Sequence, residues 1–136
     1  MASGKEHSTV TVRVSAGWVA EDWKRFVELP YFRAKWLHLG LGDEDLRALQ
    51  IGLTVAPTRW PVVGGTGGLR KMRFAPVKSN RGKSGAFRIG YVYFEEFGVI
   101  GLIAVYAKKD QATIPAAQKA QIKKAIEQLR DWISAS

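Results

Sequence analysis

The alternation of apolar and polar residues predicts strands in several parts of the chain. Val10, Val12 and Val14 alternate with Thr and Arg, a period of two that is typical of a half-buried strand, and we expect this one at a sheet edge. Four further segments have the composition of strands: 23–29, 69–75, 86–94 and 99–107. The segment 99–107 (VIGLIAVYA) is apolar throughout, so it is predicted to be a central strand covered on both faces.

Apolar residues at steps of three and four predict three helices. These cover the segments 31–39, 43–56 and 115–133. Asp43 and Thr113 are the expected N-caps of the second and third helices, and Pro57 stops the second. The first two helices are expected to form a hairpin. The basic residues of the third helix lie largely off its apolar stripe, as on a solvated face.

The order of these elements predicts an α+β domain. The expected sheet is small and antiparallel, with three to five strands, and a helical hairpin and a C-terminal helix pack against one side of it. Residues 21–136 are expected to form this domain, preceded by an extension, residues 1–20, which adds the edge strand. With 136 residues, of which 46% are hydrophobic, the chain is long enough to bury one core.

Charge is distributed very unevenly along this pattern. Positions 46–94 contain no Asp or Glu, but they contain nine basic residues: Arg47, Arg59, Arg70, Lys71, Arg73, Lys78, Arg81, Lys83 and Arg88. The remaining residues hold equal numbers of acids and bases, so this stretch accounts for the whole formal charge of +9. A surplus of one sign within one third of a small chain indicates a polyanionic partner.

The basic stretch also carries aromatic side chains: Trp60, Phe74, Phe87, Tyr91, Tyr93 and Phe94. Positive charge with stacking surface is the combination that single-stranded nucleic acid requires. Because side chains alternate along a strand, Lys71 and Arg73 are expected to point the same way, about 7 Å apart. Met72 and Phe74 are then expected to enter the core.

Several kinds of chemistry are excluded by the residue types present. The chain has no cysteine, and its two histidines, His7 and His38, belong to no catalytic motif. Paired carboxylates are absent from the basic stretch, so no metal or cofactor is predicted, and any nuclease there has to act without metal. No segment reaches the roughly 20 apolar residues of a membrane span, and the first residues lack the apolar core of a signal peptide. We therefore expect a cytoplasmic protein.

Three blocks of the sequence resemble the RelE/ParE superfamily of type II toxins, and its HigB-like branch in particular. In chain order they are GTGGLRKMRFA at 65–75, GKSGAFRIGYVYF at 82–94 and LIAVYAKKDQ at 102–111. The resemblance runs from about Trp23 to the C-terminus. It implies a RelE-like fold and a toxin that enters the ribosomal A site, cleaves mRNA and is held inactive by a cognate antitoxin, of the helix-turn-helix type.

The resemblance also assigns roles to individual residues. Four positions match a catalytic set: Lys71, Arg73, Arg88 and Lys109. Lysine is the proton acceptor available there, and the planar fork of Arg88 suits a phosphate clamp. The implied RNA-binding residues are Arg70, Arg81, Lys83, Tyr91 and Lys108. Tyr91 and Tyr106 are each expected either to stack on a base or to pack, and packing is favoured for Tyr106 because it lies in an apolar run. Some family members carry a C-terminal Tyr that assists the chemistry, whereas no Tyr follows Lys109 here.

Other interpretations of the same residues remain open. The fold can serve an RNA- or ribosome-binding module without catalysis, or a ParE-like inhibitor of gyrase. The basic face can also dock an acidic antitoxin segment, or be no more than a solvated sheet face.

Overall fold

The computed structural model describes residues 8–11, 24–77, 87–111 and 113–136, with only the backbone of 8–11. These ranges contain five strands: β1 (Ser8–Thr11), β2 (Arg25–Glu28), β3 (Arg70–Phe74), β4 (Phe87–Phe94) and β5 (Val99–Ala107). Three α-helices accompany them: α1 (Pro30–His38), α2 (Asp43–Val55) and α3 (Ala116–Ala135). The predicted α+β class and the order of its elements are confirmed. Among the helices described, none is long and apolar enough to cross a membrane.

The sheet has the strand order β1-β2-β5-β4-β3, so β5 is central and β1 and β3 are the edges. The pairs β3–β4 and β4–β5 are antiparallel, as predicted. The pair β2–β5 is parallel, and the sheet is therefore mixed. The expectation of a purely antiparallel sheet was wrong, because two helices and two strands separate β2 from β5 and let the chain return in the same direction.

Helices cover both faces of the sheet, which corrects the expectation that they pack on one side. Phe32 and Trp36 of α1 and Leu49 of α2 belong to one buried cluster, together with Ile89 and Tyr91 of β4. A second cluster joins α3 to the opposite face, and its members include Leu69, Val92, Ile103, Ile126 and Leu129. Every residue of β5 is buried, which confirms that this strand is central and covered on both sides.

Both helix caps differ from the prediction. Asp43 is the first residue of α2 and not its cap; Asp45 Oδ2 instead accepts a hydrogen bond from the Gly42 N–H at 2.9 Å. The other oxygen of Asp45 accepts from the Val77 N–H at 2.8 Å, which ties the segment after β3 to the start of α2. Helix α3 begins after Pro115 without a side-chain cap, so Thr113 does not have the expected role.

Helix α3 lies close against the sheet at Gly101. A Cβ at this position would lie 2.9 Å from Leu129 Cδ2 and 3.1 Å from Val92 Cγ1. Glycine is therefore required here for space, since real Cβ atoms do not approach other atoms so closely. This contact fixes α3 over one end of the sheet.

Candidate nucleic-acid interface

The register between β3 and β4 brings three of the predicted catalytic residues onto one face. Arg73 is directly opposite Arg88, and Lys71 is opposite Gly90. Cross-strand partners share a face, so these three cations project from the side of the sheet opposite Met72 and Phe74. We call Lys71, Arg73, Arg88 and the neighbouring Tyr106 the basic face.

The basic face begins where the core beneath α3 ends. Along β3, fully buried Leu69 is followed on the same face by half-buried Lys71 and then by exposed Arg73. Along β4, buried Val92 and half-buried Arg88 lie on this same face of the sheet. The change from apolar to cationic side chains therefore occurs side by side on adjacent strands, which makes one continuous charged surface.

The register places two cationic side chains, Arg73 and Arg88, at directly opposite positions of adjacent strands. Like charges directly opposite each other destabilise a sheet, by an amount comparable to the roughly 0.2–1 kcal/mol that favourable cross-strand pairs contribute. Arginine side chains at directly opposite positions suit a bound phosphate, whose oxygens can accept hydrogen bonds from both guanidinium forks.

Tyr106 packs at the border of the basic face, which is the role that its apolar neighbours in the sequence favour. It is opposite Arg88 in the β4–β5 register and only 8% exposed. Its hydroxyl is buried and makes no hydrogen bond in the described part of the structure. Burial raises the pKa of the Tyr106 hydroxyl, against the smaller opposing effect of the Arg88 charge, so the group stays protonated at neutral pH.

Tyr91 and Arg70 lie on the other side of the sheet from the basic face. Tyr91 is 0% exposed, and its hydroxyl donates to the Pro57 carbonyl at 2.8 Å. Packing, one of its two expected roles, is therefore what the structure shows, and Tyr91 leaves the predicted RNA-binding set. A signal was available in the sequence, since residues three apart on a strand, such as Arg88 and Tyr91, face opposite sides. The guanidinium of Arg70 is likewise committed to the Trp60 carbonyl, at 2.6 Å.

The remaining predicted residues follow β5 or lie outside the described ranges. Lys108 and Lys109 are exposed in the turn after β5, at the end of the sheet that carries Arg88 and Tyr106. This placement is compatible with contact to a ligand on the basic face. Arg81 and Lys83 lie outside the described residues.

The glycine-rich segment before β3 brings α3 toward the same region. Buried Thr66 holds this segment, because its hydroxyl donates to the Val63 carbonyl at 2.6 Å and accepts from the Leu69 N–H at 3.0 Å. Gly67 has a φ of 77°, and a Cβ there would lie 3.1 Å from Lys123 Cγ. Glycine is thus favoured by the backbone conformation, and its close approach to Lys123 places this segment directly against α3.

Comparison with known protein-family models gives no match to the chain. Within the described ranges, no three His, Asp or Glu side chains come together as metal ligands would. The basic face and the three sequence blocks are therefore the features of the chain that bear on its function.

Proposed function

We propose that the protein is the toxin of a type II toxin–antitoxin system, a ribosome-dependent endoribonuclease that cleaves mRNA and inhibits translation in the cytoplasm. The observation that carries the proposal is the convergence of Lys71, Arg73 and Arg88 on one face of the β3–β4 pair, with the two arginines directly opposite each other. The three sequence blocks that resemble RelE/ParE toxins provide these cations. The proposed partners are the ribosome, mRNA and a cognate helix-turn-helix antitoxin.

The chemistry follows from the groups that the face presents. The 2′-hydroxyl of the RNA attacks the adjacent phosphate, so that a 2′-O–P bond forms and the P–O5′ bond breaks. Lys71 is the proposed acceptor of the 2′ proton, and Arg88 stabilises the charge that develops on the phosphate oxygens. The buried hydroxyl of Tyr106 would donate a hydrogen bond to the same phosphate once the groups that cover it move aside. Lys109 in the turn after β5 is the proposed donor to the leaving oxygen, and the products are a 2′,3′-cyclic phosphate and a 5′-hydroxyl.

Replacement of both Lys71 and Arg73 by Ala tests the proposal. We expect loss of growth arrest in induced cells and loss of cleavage of ribosome-bound mRNA, whereas binding to the antitoxin is retained. The matched control is the Lys24→Ala/Arg25→Ala double variant, which removes the same charge at the opposite end of the sheet, where Arg25 pairs with Val99. Undiminished toxicity of the Lys71/Arg73 variant would refute the catalytic assignment.

Binding without cleavage is the second candidate, and the position of Arg73 favours it. The Arg73 guanidinium lies 5.4 Å from the centre of the Trp60 ring, at the strand edge, where it can hold a phosphate without taking part in chemistry. This function predicts arrested translation with intact mRNA. A gyrase inhibitor of the same fold instead predicts DNA damage in induced cells with normal translation.

A further inference from the structure

A second cationic cluster lies around Trp60, beyond the edge strand β3. The guanidinium of Arg59 is 5.1 Å from the centre of the indole ring, and that of Arg73 is 5.4 Å from it. Both arginines are exposed and Trp60 is half-buried. Among the described residues, neither guanidinium forms an ion pair with a carboxylate. Two unneutralised cations are therefore held beside one aromatic ring on the surface.

Backbone and side-chain hydrogen bonds fix the segment that carries Trp60 onto β3. The Trp60 carbonyl accepts from Arg70 Nη1 at 2.6 Å. The Val63 N–H donates to the Leu69 carbonyl at 2.7 Å, and Val62 forms a β-bridge with Arg70. The ring itself packs against the core cluster beneath α1 and α2. The indole is thus a preorganised support, and binding a ligand beside it requires little ordering.

Both arginines of the cluster can bind a phosphate. Each guanidinium gains attraction from the ring, which holds it at the surface beside Trp60. A guanidinium placed in this way can donate two hydrogen bonds to the oxygens of a phosphate diester.

Arg73 connects this cluster to the basic face. It belongs to β3 and is opposite Arg88 on β4, while Trp60 lies across the outer edge of β3. Neighbouring strands are about 4.8 Å apart, so roughly 10 Å separate the Arg88 strand from the Trp60 segment. One flexible single strand can span this distance and contact both places.

We propose that Arg59, Trp60 and Arg73 form a second phosphate-binding subsite for single-stranded RNA, which leads the strand from the basic face around the edge of β3. The inference rests on the proposed function and adds to it the path of the substrate. RNA held only on the basic face does not reach Arg59. A longer strand contacts Arg59 as well, and its affinity therefore depends on this residue.

The test compares Arg59→Ala with Arg25→Ala, since both remove one exposed arginine charge and Arg25 lies on β2, far from the edge of β3. Fluorescence anisotropy measures binding of a labelled trinucleotide and of a single strand of about ten nucleotides. For the longer RNA, we expect Arg59→Ala to weaken binding about fivefold and to reduce the slope of log affinity against log salt by about 0.7, the value for one lost phosphate contact. The trinucleotide should bind equally well to wild type and variant, and Arg25→Ala should leave both affinities unchanged.

Other outcomes separate this inference from the proposed function. Equal affinity of wild type and Arg59→Ala for the longer RNA would overturn the subsite, as would an equal loss for both RNA lengths. Loss of binding to an acidic peptide, without loss for RNA, would also overturn it and assign the cluster to a protein partner. If the subsite fails while Lys71→Ala still abolishes mRNA cleavage, the proposed function stands alone. Failure of the wild-type protein to bind RNA of either length would overturn both.

Discussion

The buried hydroxyl of Tyr106 gives a prediction in which stability and activity change in opposite directions. The Tyr106→Phe substitution removes a single oxygen that makes no hydrogen bond among the described residues and leaves the ring in place. An unsatisfied buried polar group costs about 1–3 kcal/mol, so we expect the variant to be more stable by about 1 kcal/mol. If the hydroxyl donates to the scissile phosphate, cleavage should fall about a hundredfold, the usual effect of removing one preorganised donor.

Tyr91→Phe is the matched control, because it removes the same atom from a tyrosine on the other side of the sheet. Its hydroxyl donates to the Pro57 carbonyl at 2.8 Å, and loss of this bond should cost about 1 kcal/mol of stability without a change in cleavage. Urea unfolding measures the stability of both variants, and primer extension on ribosome-bound mRNA measures their cleavage rates. A Tyr106→Phe protein that is less stable than wild type and fully active would refute the argument, since Tyr106 would then be an ordinary packed residue.

Two further predictions concern packing and pH. Gly101→Ala should destabilise the protein by about 1–3 kcal/mol, because its Cβ would lie 2.9 Å from Leu129 Cδ2. The control is Gly52→Ala in α2, whose Cβ would have no atom within 4 Å and which should stabilise the protein by about 0.5–1 kcal/mol. Thermal unfolding measures both variants, and equal effects would contradict the packing of α3 against Gly101. Burial raises the pKa of Glu28 despite its contact with Arg33, so the folded state holds the Glu28 proton more tightly, and ionisation of this group lowers the free energy of unfolding as pH rises above 4.5. Glu28→Gln should remove this pH-dependent loss of stability, which urea titrations at several pH values measure. A wild-type protein that gained stability relative to the variant as pH rises would contradict the prediction.

The sequence predicts the elements of this fold better than their arrangement. The residues of β5 form an uninterrupted apolar run, and Leu46, Leu49 and Leu53 of α2 repeat at helical spacing. Both β5 and α2 can therefore be located from the sequence, and the three leucines are buried as expected. Periodicity shows that a helix has an apolar face but does not show which side of the sheet receives it. This is why α3 was expected beside α1 and α2, and why the parallel pairing of β2 with β5 was not foreseen.

The same limit applies to the candidate site. Alternation along one strand predicts that Lys71 and Arg73 share a face, because that relation is local. Whether Arg88 lies beside them depends on the register between β3 and β4. Whether Tyr106 lies beside Arg88 depends on the register between β4 and β5, which shifts between Gly90 and Tyr91. Registers depend on long-range packing, so they could not be read from the sequence. The apolar neighbours of Tyr106 correctly predict that it is buried, but they do not show that it lies opposite Arg88.

The central claim is that Lys71, Arg73 and Arg88 together form one surface that holds RNA phosphates. The salt dependence of single-stranded RNA binding, measured for wild type and for a variant with Ala at all three positions, tests it most directly. Three lost phosphate contacts predict a slope of log affinity against log salt that is smaller by about 2, at about 0.7 per contact, while Arg25→Ala leaves the slope of wild type. An unchanged slope in the triple variant would contradict the account, because these cations would then meet no phosphate.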